Sequence, residues 1–237
     1  YEITGRDWSS DVCSSDLEPP ARPSAAPVWL MDHPRVDQAF FALSRPGVRA
    51  GDPERVALRL ANFMIGGGGF SSRLMDRIRE AMGHTYGISS TLPERRQASA
   101  FTVGSFTQAG NLGAMLELID RVLAEVRDGG FTAAELDLAR SNNYGRLPLR
   151  LVGPRTILDF AANGLRSGLD PGQLEADWRS IPSMSLEAVN AAARRLIGDG
   201  RWRLAVIAPE KLVRGQLAGR GEISVIPFGA TPDRWPG

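Results

Sequence analysis

The sequence has 237 residues, 43% of them hydrophobic and 23% charged, enough to build one substantial core in one large domain or two small ones. Its 28 basic residues stand against 27 acidic ones, a net charge of +1, and this balance argues against the sequence-independent phosphate binding of a nucleic-acid partner. No apolar run reaches the roughly 18 residues of a membrane-crossing helix, so no membrane span is expected. Arginine supplies nearly all the basic charge, with Lys211 the only lysine, a bias expected of a GC-rich coding sequence.

In chain order, the segment from Asp7 to Leu17 resembles the translation of a short-read sequencing adapter, and Tyr1-Glu2-Ile3 fits the same source. Residues 1–17 are therefore expected to be a non-native tail, with the native sequence starting at about Glu18 and an upstream part missing. Cys13, the single cysteine, lies inside that tail, so cysteine usage reports neither a disulfide nor a compartment; periplasm and cytoplasm both stay open. Residues 18–27 hold four prolines and no large apolar side chain, which reads as a semi-extended linker between this unit and an upstream one. Residues 28–237 are expected to form the domain proper.

Short apolar runs from Val28 to Met31 and Gln38 to Leu43 flank Pro34 and read as strands. Asp52 as N-cap and Pro53 at the first helical position predict a helix with Val56, Leu60, Phe63 and Met64 on one face, ending at Gly66. A second helix follows from about Ser71 to Met82, with Gly83 placed to cap it. Strands are predicted near Tyr86 to Leu92 and Ala100 to Thr107. A long amphipathic helix from Asn111 to about Asp128 carries Leu112, Met115, Leu116, Ile119, Val122, Leu123 and Val126 on one stripe. Thr132 and Glu135 form a capping box for a helix that Pro148 is expected to interrupt. Further helices are read around Pro154 to Gly168 and Ser185 to Ile197. Trp202, Leu204, Val206 and Ala208 alternate as a strand, and Ile223 to Ile226 is another. The expected fold class is α+β, one largely antiparallel sheet covered by helices.

The sharpest local feature is the run Gly66-Gly67-Gly68-Gly69, followed by Phe70-Ser71-Ser72-Arg73-Leu74 and then by Arg79-Glu80-Ala81-Met82-Gly83-His84-Thr85-Tyr86. A glycine run before a helix can expose amides to a phosphate, stop a helix in a tight turn, or form a mobile loop that touches a peptide. Phosphate is the weakest of these readings, because no Lys-Ser/Thr follows and the run succeeds a helix rather than a strand. The whole pattern resembles the signature of the second homologous half of insulinase-type (pitrilysin-like) metallopeptidases. It departs from that signature at Ile65, at His84 and by one extra glycine. The likeness extends over most of residues 28–228, including Gly130-Phe131-Thr132 with Glu135-Leu136 and the Ala205-Val206-Ile207-Ala208-Pro209 strand.

This resemblance implies a clamshell of two similar halves, zinc on the first and a substrate-holding arginine and tyrosine on the second; by motif position those are Arg79 and Tyr86. A guanidinium and a phenol can donate to a peptide carbonyl and to the oxyanion that grows on it, where one such donor is worth about 2.7 to 4 kcal/mol. The bland alternative makes Arg79 a cap for helix carbonyls and Tyr86 a half-buried strand aromatic. Arg73 and Glu80 are expected to support the segment by ion pairing. The family's His-x-x-Glu-His motif is absent, and only His33 and His84 are present, so no metal site is expected in this chain and zinc is expected in the partner half.

The function implied is thus the zinc-free, substrate-binding half of a zinc endopeptidase, inactive alone, whose partners are a zinc-bearing homologous half (upstream in the same chain or a separate subunit) and a peptide or unfolded polypeptide. A catalytically silent scaffold or assembly subunit of the same fold is the alternative. Because no face of the domain was selected to receive an adapter-derived segment, deleting residues 1–17 is expected to leave the thermal unfolding midpoint unchanged; a clear drop in that midpoint would show that the segment belongs to the fold.

Overall fold

The computed structural model describes residues 27–82, 87–97 and 99–229. Strands β1 (Val28–Asp32) and β2 (Gln38–Pro46) are followed by helix α1 (Arg55–Asn62), helix α2 (Arg73–Met82), strands β3 (Ile88–Thr91) and β4 (Ala100–Gln108), and the long helices α3 (Leu112–Gly129) and α4 (Ala133–Arg150). Helices α5 (Pro154–Arg166), α6 (Pro171–Ser180) and α7 (Leu186–Ile197), strand β5 (Arg203–Ala208), the single turn α8 (Glu210–Val213) and strand β6 (Ile223–Pro227) complete the order. The six strands form one sheet in the order β3-β4-β2-β5-β1-β6. The three pairings among β3, β4, β2 and β5 are antiparallel, whereas β1 lies parallel to both β5 and β6. The α+β expectation thus holds, with the parallel pairings at the β1 end.

Alternation sets which face is covered. Ala39, Phe41 and Leu43 of β2, Phe101 and Val103 of β4, and Leu204, Val206 and Ala208 of β5 are buried on one side. The register places them together, Leu43 opposite both Val103 and Leu204. Against them packs a helix layer in which α1 touches α7, α7 touches α3 and α3 touches α2. The apolar stripe of α3 is buried along its whole length, as its spacing requires. On the opposite face Phe40 and Phe106 stack at 5.6 Å beside the part-exposed Ile207.

Three sequence expectations need correction. Asp52 does not cap α1, which starts at Arg55 with Glu54 at the N-cap. Its carboxylate instead accepts the Glu54 amide at 2.9 Å and meets Arg195 of α7 at 2.5 Å, and the arginine's hydrogen bond holds the carboxyl below its ordinary range despite some burial. Secondly, Pro148 does not interrupt α4, which continues to Arg150. A proline leaves the carbonyl four residues earlier without its amide partner. Here that carbonyl belongs to Tyr144, and the indole N–H of Trp178 donates to it at 3.0 Å while the two rings stack 4.4 Å apart and 3° from parallel. Helix α6, which brings Trp178 there, was not anticipated, although Asp170 accepts the Gln173 amide at 2.9 Å and Pro171 opens the first turn, a legible start signal. Thirdly, Trp202 lies just before β5; its ring packs 5.6 Å from that of Phe101, with the Arg45 guanidinium 5.7 Å above it.

A buried ion pair ties α6 to α1. Arg55 and Asp177 are both almost fully buried and meet through two hydrogen bonds, the Nε–Oδ2 contact at 2.6 Å. Arg59 extends the network, reaching Asp177 at 3.5 Å and Glu94 at 3.0 Å. The role assigned to the indole is open to test: Trp178→Phe keeps a ring over Tyr144 but removes the donor, and should lower unfolding stability in urea by about 1 kcal/mol. No loss in that variant would mean that Pro148 is tolerated for another reason.

Candidate functional site

The candidate site grows out of the glycine run. Helix α1 does not stop at the first glycine; it widens into a π-helical turn, Phe63–Gly67, and a 3-10 turn, Gly69–Ser71, leads into α2. The sheet beneath explains the composition. A Cβ on Gly66 would lie 2.7 Å from the backbone nitrogen of Ser90 on β3, an atom fixed in the sheet that cannot move aside. Ser90 is 3% exposed, and its hydroxyl donates to the Asn62 carbonyl at 3.1 Å and to the Asn62 side-chain oxygen at 2.8 Å. Gly69 has φ +58°, a left-handed conformation that L side chains seldom adopt. The Gly68, Ser71 and Ser72 amides donate to Phe63, Gly68 and Gly69 carbonyls respectively, so they are spent inside the segment and form no phosphate cradle. The helix stop expected at Gly66 falls one residue later, at the end of a π-turn seated on β3, and the left-handed Gly69 makes the tight turn.

From this seat α2 projects three arginines with different fates. Arg73 makes a two-pronged ion pair with Glu135, Nε to Oε1 and Nη2 to Oε2 both at 2.8 Å, and lies 5.4 Å over the Phe131 ring. Glu135 is also the third residue of the α4 capping box, accepting the Thr132 amide at 2.7 Å. Burial works against its charge, but the Thr132 amide and the Arg73 guanidinium outweigh it and hold the carboxyl below its ordinary 4.5. That lowered value means the pair stabilises the fold above the ordinary glutamate range and that its contribution is lost as pH falls through the folded value. Arg77 is engaged by Glu80 at 3.3 Å and Glu125 at 3.8 Å. Arg79, on the last turn, is exposed and meets no carboxylate among the described residues; its guanidinium carbon lies 5.2 Å over the ring of Phe70.

Arg73 and Glu80 therefore sit in ion pairs, Arg79 stands apart with Phe70, and Tyr86 and His84 lie outside the described residues. Phe70 was not singled out from the sequence. It is 77% exposed, the most open aromatic of the described part, on the turn between the glycines and α2. Its signal was available: an aromatic set directly after four glycines and before two serines has no helical or strand partner to bury it. No group of three or more His, Cys, Asp or Glu among the described residues is placed to hold a metal ion. His33, the one histidine among the described residues, packs its ring 3.9 Å from that of Phe228. The donor set for zinc does not fit the described part of this chain. Among the described residues, no helix is long and apolar enough to cross a membrane.

Comparison with known proteins gives the geometry a family. Residues 11–143 match the model described as the peptidase M16 inactive domain. An uncharacterized zinc protease of Mycobacterium leprae is 32% identical over 146 residues, 60% of this chain and 32% of that protein. The uncharacterized zinc protease YmxG of Bacillus subtilis is 29% identical over 176 residues, 73% of this chain and 42% of that protein. The crystal structure of a peptidase M16 inactive domain from Pseudomonas fluorescens superposes with a TM-score of 0.72 at 28% identity, over 81% of this chain and 45% of that one. The chain spans about a third to two-fifths of the length of these curated relatives. It belongs to the peptidase M16, or insulinase, family and carries that family's inactive domain.

Proposed function

We propose that this chain is the peptide-holding half of an M16 zinc endopeptidase, working with a zinc-bearing half that supplies the metal and the attacking water. The observation that carries the reading is the state of Arg79. Its neighbours on α2 are tied to carboxylates, whereas its guanidinium is exposed, without a carboxylate among the described residues and steadied by the Phe70 ring. A cation held in this way has its donors available to a ligand at little cost in side-chain ordering. Tyr86 joins it in the proposal on its motif position alone, seven residues on and across the end of α2. The two would donate to the carbonyl of the bound peptide and to the oxyanion that forms on it, contributing most as negative charge develops there.

The supporting residues have a distinct role in this reading. Arg73 and Glu135 clamp the start of α2 to the start of α4, and Gly66 seats the preceding turn on the sheet, so Arg79 is presented from a fixed base. In a complex reconstituted with a zinc-bearing M16 half, Arg79→Ala and Tyr86→Phe should each lower peptide cleavage by roughly 10²-fold while leaving the thermal midpoint and complex formation nearly unchanged. Wild-type cleavage in both variants would favour the alternative, a silent assembly subunit, and remove the substrate-holding role.

A further inference from the structure

A second feature lies on elements that the proposed function does not use. The connection between β3 and β4 runs beside α5 and α6, and between them is a cleft of about 700 Å3. Arg95, Arg96 and Arg166 line it, and none of them is paired with a carboxylate among the described residues. Arg49, which bridges Arg95 through the backbone, is likewise unpaired with any described carboxylate. The acidic residue in the lining, Glu94, is already engaged by Arg59 at 3.0 Å. The cleft is therefore lined by three uncompensated positive charges, an arrangement that favours an anionic ligand.

The arginines are also supported. Arg166 donates to the side-chain oxygen of Asn163 on its own helix. The stem of Arg96 runs along Gly168, where a Cβ would stand 3.6 Å from it, and the left-handed φ of +79° at that glycine makes the turn. The connection itself is anchored by the Ala50 amide, which donates to the Arg95 carbonyl at 2.9 Å, and by the Ser167 hydroxyl, which donates to the Glu94 carbonyl at 3.0 Å.

Beyond the cleft lies a second, apolar hollow of about 320 Å3, bounded by Leu147, Pro148, Leu151 and Trp178. Phe160 and Leu174 line both spaces, so they form a common wall between the charged cleft and the apolar one. Helix α5 continues this surface with Ile157, Leu158 and Leu165 exposed, although a helix of a folded domain ordinarily turns such residues inward. A small anion would use the arginines and leave the apolar hollow idle; an uncharged apolar segment would do the reverse. A peptide segment that carries both carboxylates and a large apolar side chain satisfies both at once.

We propose that this paired cleft is a binding site for an acidic, apolar-rich peptide segment, its carboxylates held by Arg95, Arg96 and Arg166 and an apolar side chain seated beside Phe160 and Trp178. The inference does not rest on the proposed function, since Arg79 and the glycine run contribute nothing to the lining. It is tested on the full chain with a fluorescein-labelled decapeptide of alternating glutamate and leucine, read by anisotropy against its glutamine-leucine counterpart. The glutamate peptide should bind saturably and the glutamine peptide at least about tenfold more weakly. Arg96→Glu, Arg166→Glu and Phe160→Ala should each weaken binding several-fold to about tenfold at an unchanged thermal midpoint. Arg127→Ala, on α3 outside both linings, should leave the affinity as it is. Absence of saturable binding, equal binding of the glutamine peptide, unchanged affinity in the cleft variants, or loss of binding in Arg127→Ala would each overturn the proposal.

Discussion

The approach of Gly66 to the Ser90 backbone is the constraint on which the Arg79-bearing face of this domain depends. A helix that meets a sheet edge-on must either end or find a way to pass close above the strands, and a side chain at that point would collide with the β3 backbone. With glycine there, α1 widens into a π-turn, settles on β3 and hands over to α2 within a few residues. Asn62 and Ser90 close the contact with two hydrogen bonds, which leaves no buried hydroxyl unsatisfied at the point of closest approach. The direction of α2, and so the position of Arg79, follows from that seat.

Around this seat the arginines divide the labour. Arg55 and Arg73 are fixed by Asp177 and Glu135 and join helices that are distant in sequence, α1 to α6 and α2 to α4. Breaking a buried pair such as Arg55–Asp177 by removing one partner costs about 3 to 5 kcal/mol, far more than an exposed pair contributes; Arg73–Glu135, part-buried, lies between these limits. Glu135 couples the two functions most tightly, because one carboxylate both caps α4 and anchors α2. Arg79 is the exception on α2, and the contrast with Arg73 and Arg77, only a turn or two away, is what gives its freedom meaning.

Much of this was legible in the residues. The stripe of α3, the Thr132–Glu135 capping box and the alternation of β5 follow directly from periodicity and cap chemistry, and they appear as read. What escaped was information held by residues far apart in the chain. Nothing within α4 says that Pro148 can be accommodated; the answer lies in Trp178, 34 residues beyond the carbonyl it satisfies. Asp52 has the chemistry of an N-cap, but a turn amide and Arg195, 143 residues away, compete for its oxygens. The glycine run announced an unusual backbone, yet only the register of β3 beneath it shows that Gly66 answers to close packing and Gly69 to a left-handed turn. Of the candidate site, Arg79, Tyr86, Arg73 and Glu80 were singled out by motif position, whereas the Arg73–Glu135 pair and Phe70, under the Arg79 guanidinium, emerged only in the structure.

The central claim is that the face presenting Arg79 and Phe70 holds the peptide during cleavage. Site-specific photocrosslinking tests it most directly, with a benzophenone side chain placed at position 70 in a complex with a zinc-bearing M16 half and a non-cleavable peptide. The account predicts a covalent adduct between position 70 and the peptide, and little or none from the same group at the exposed Leu138 on α4. A complex that binds peptide but yields no more adduct at position 70 than at position 138 would contradict it.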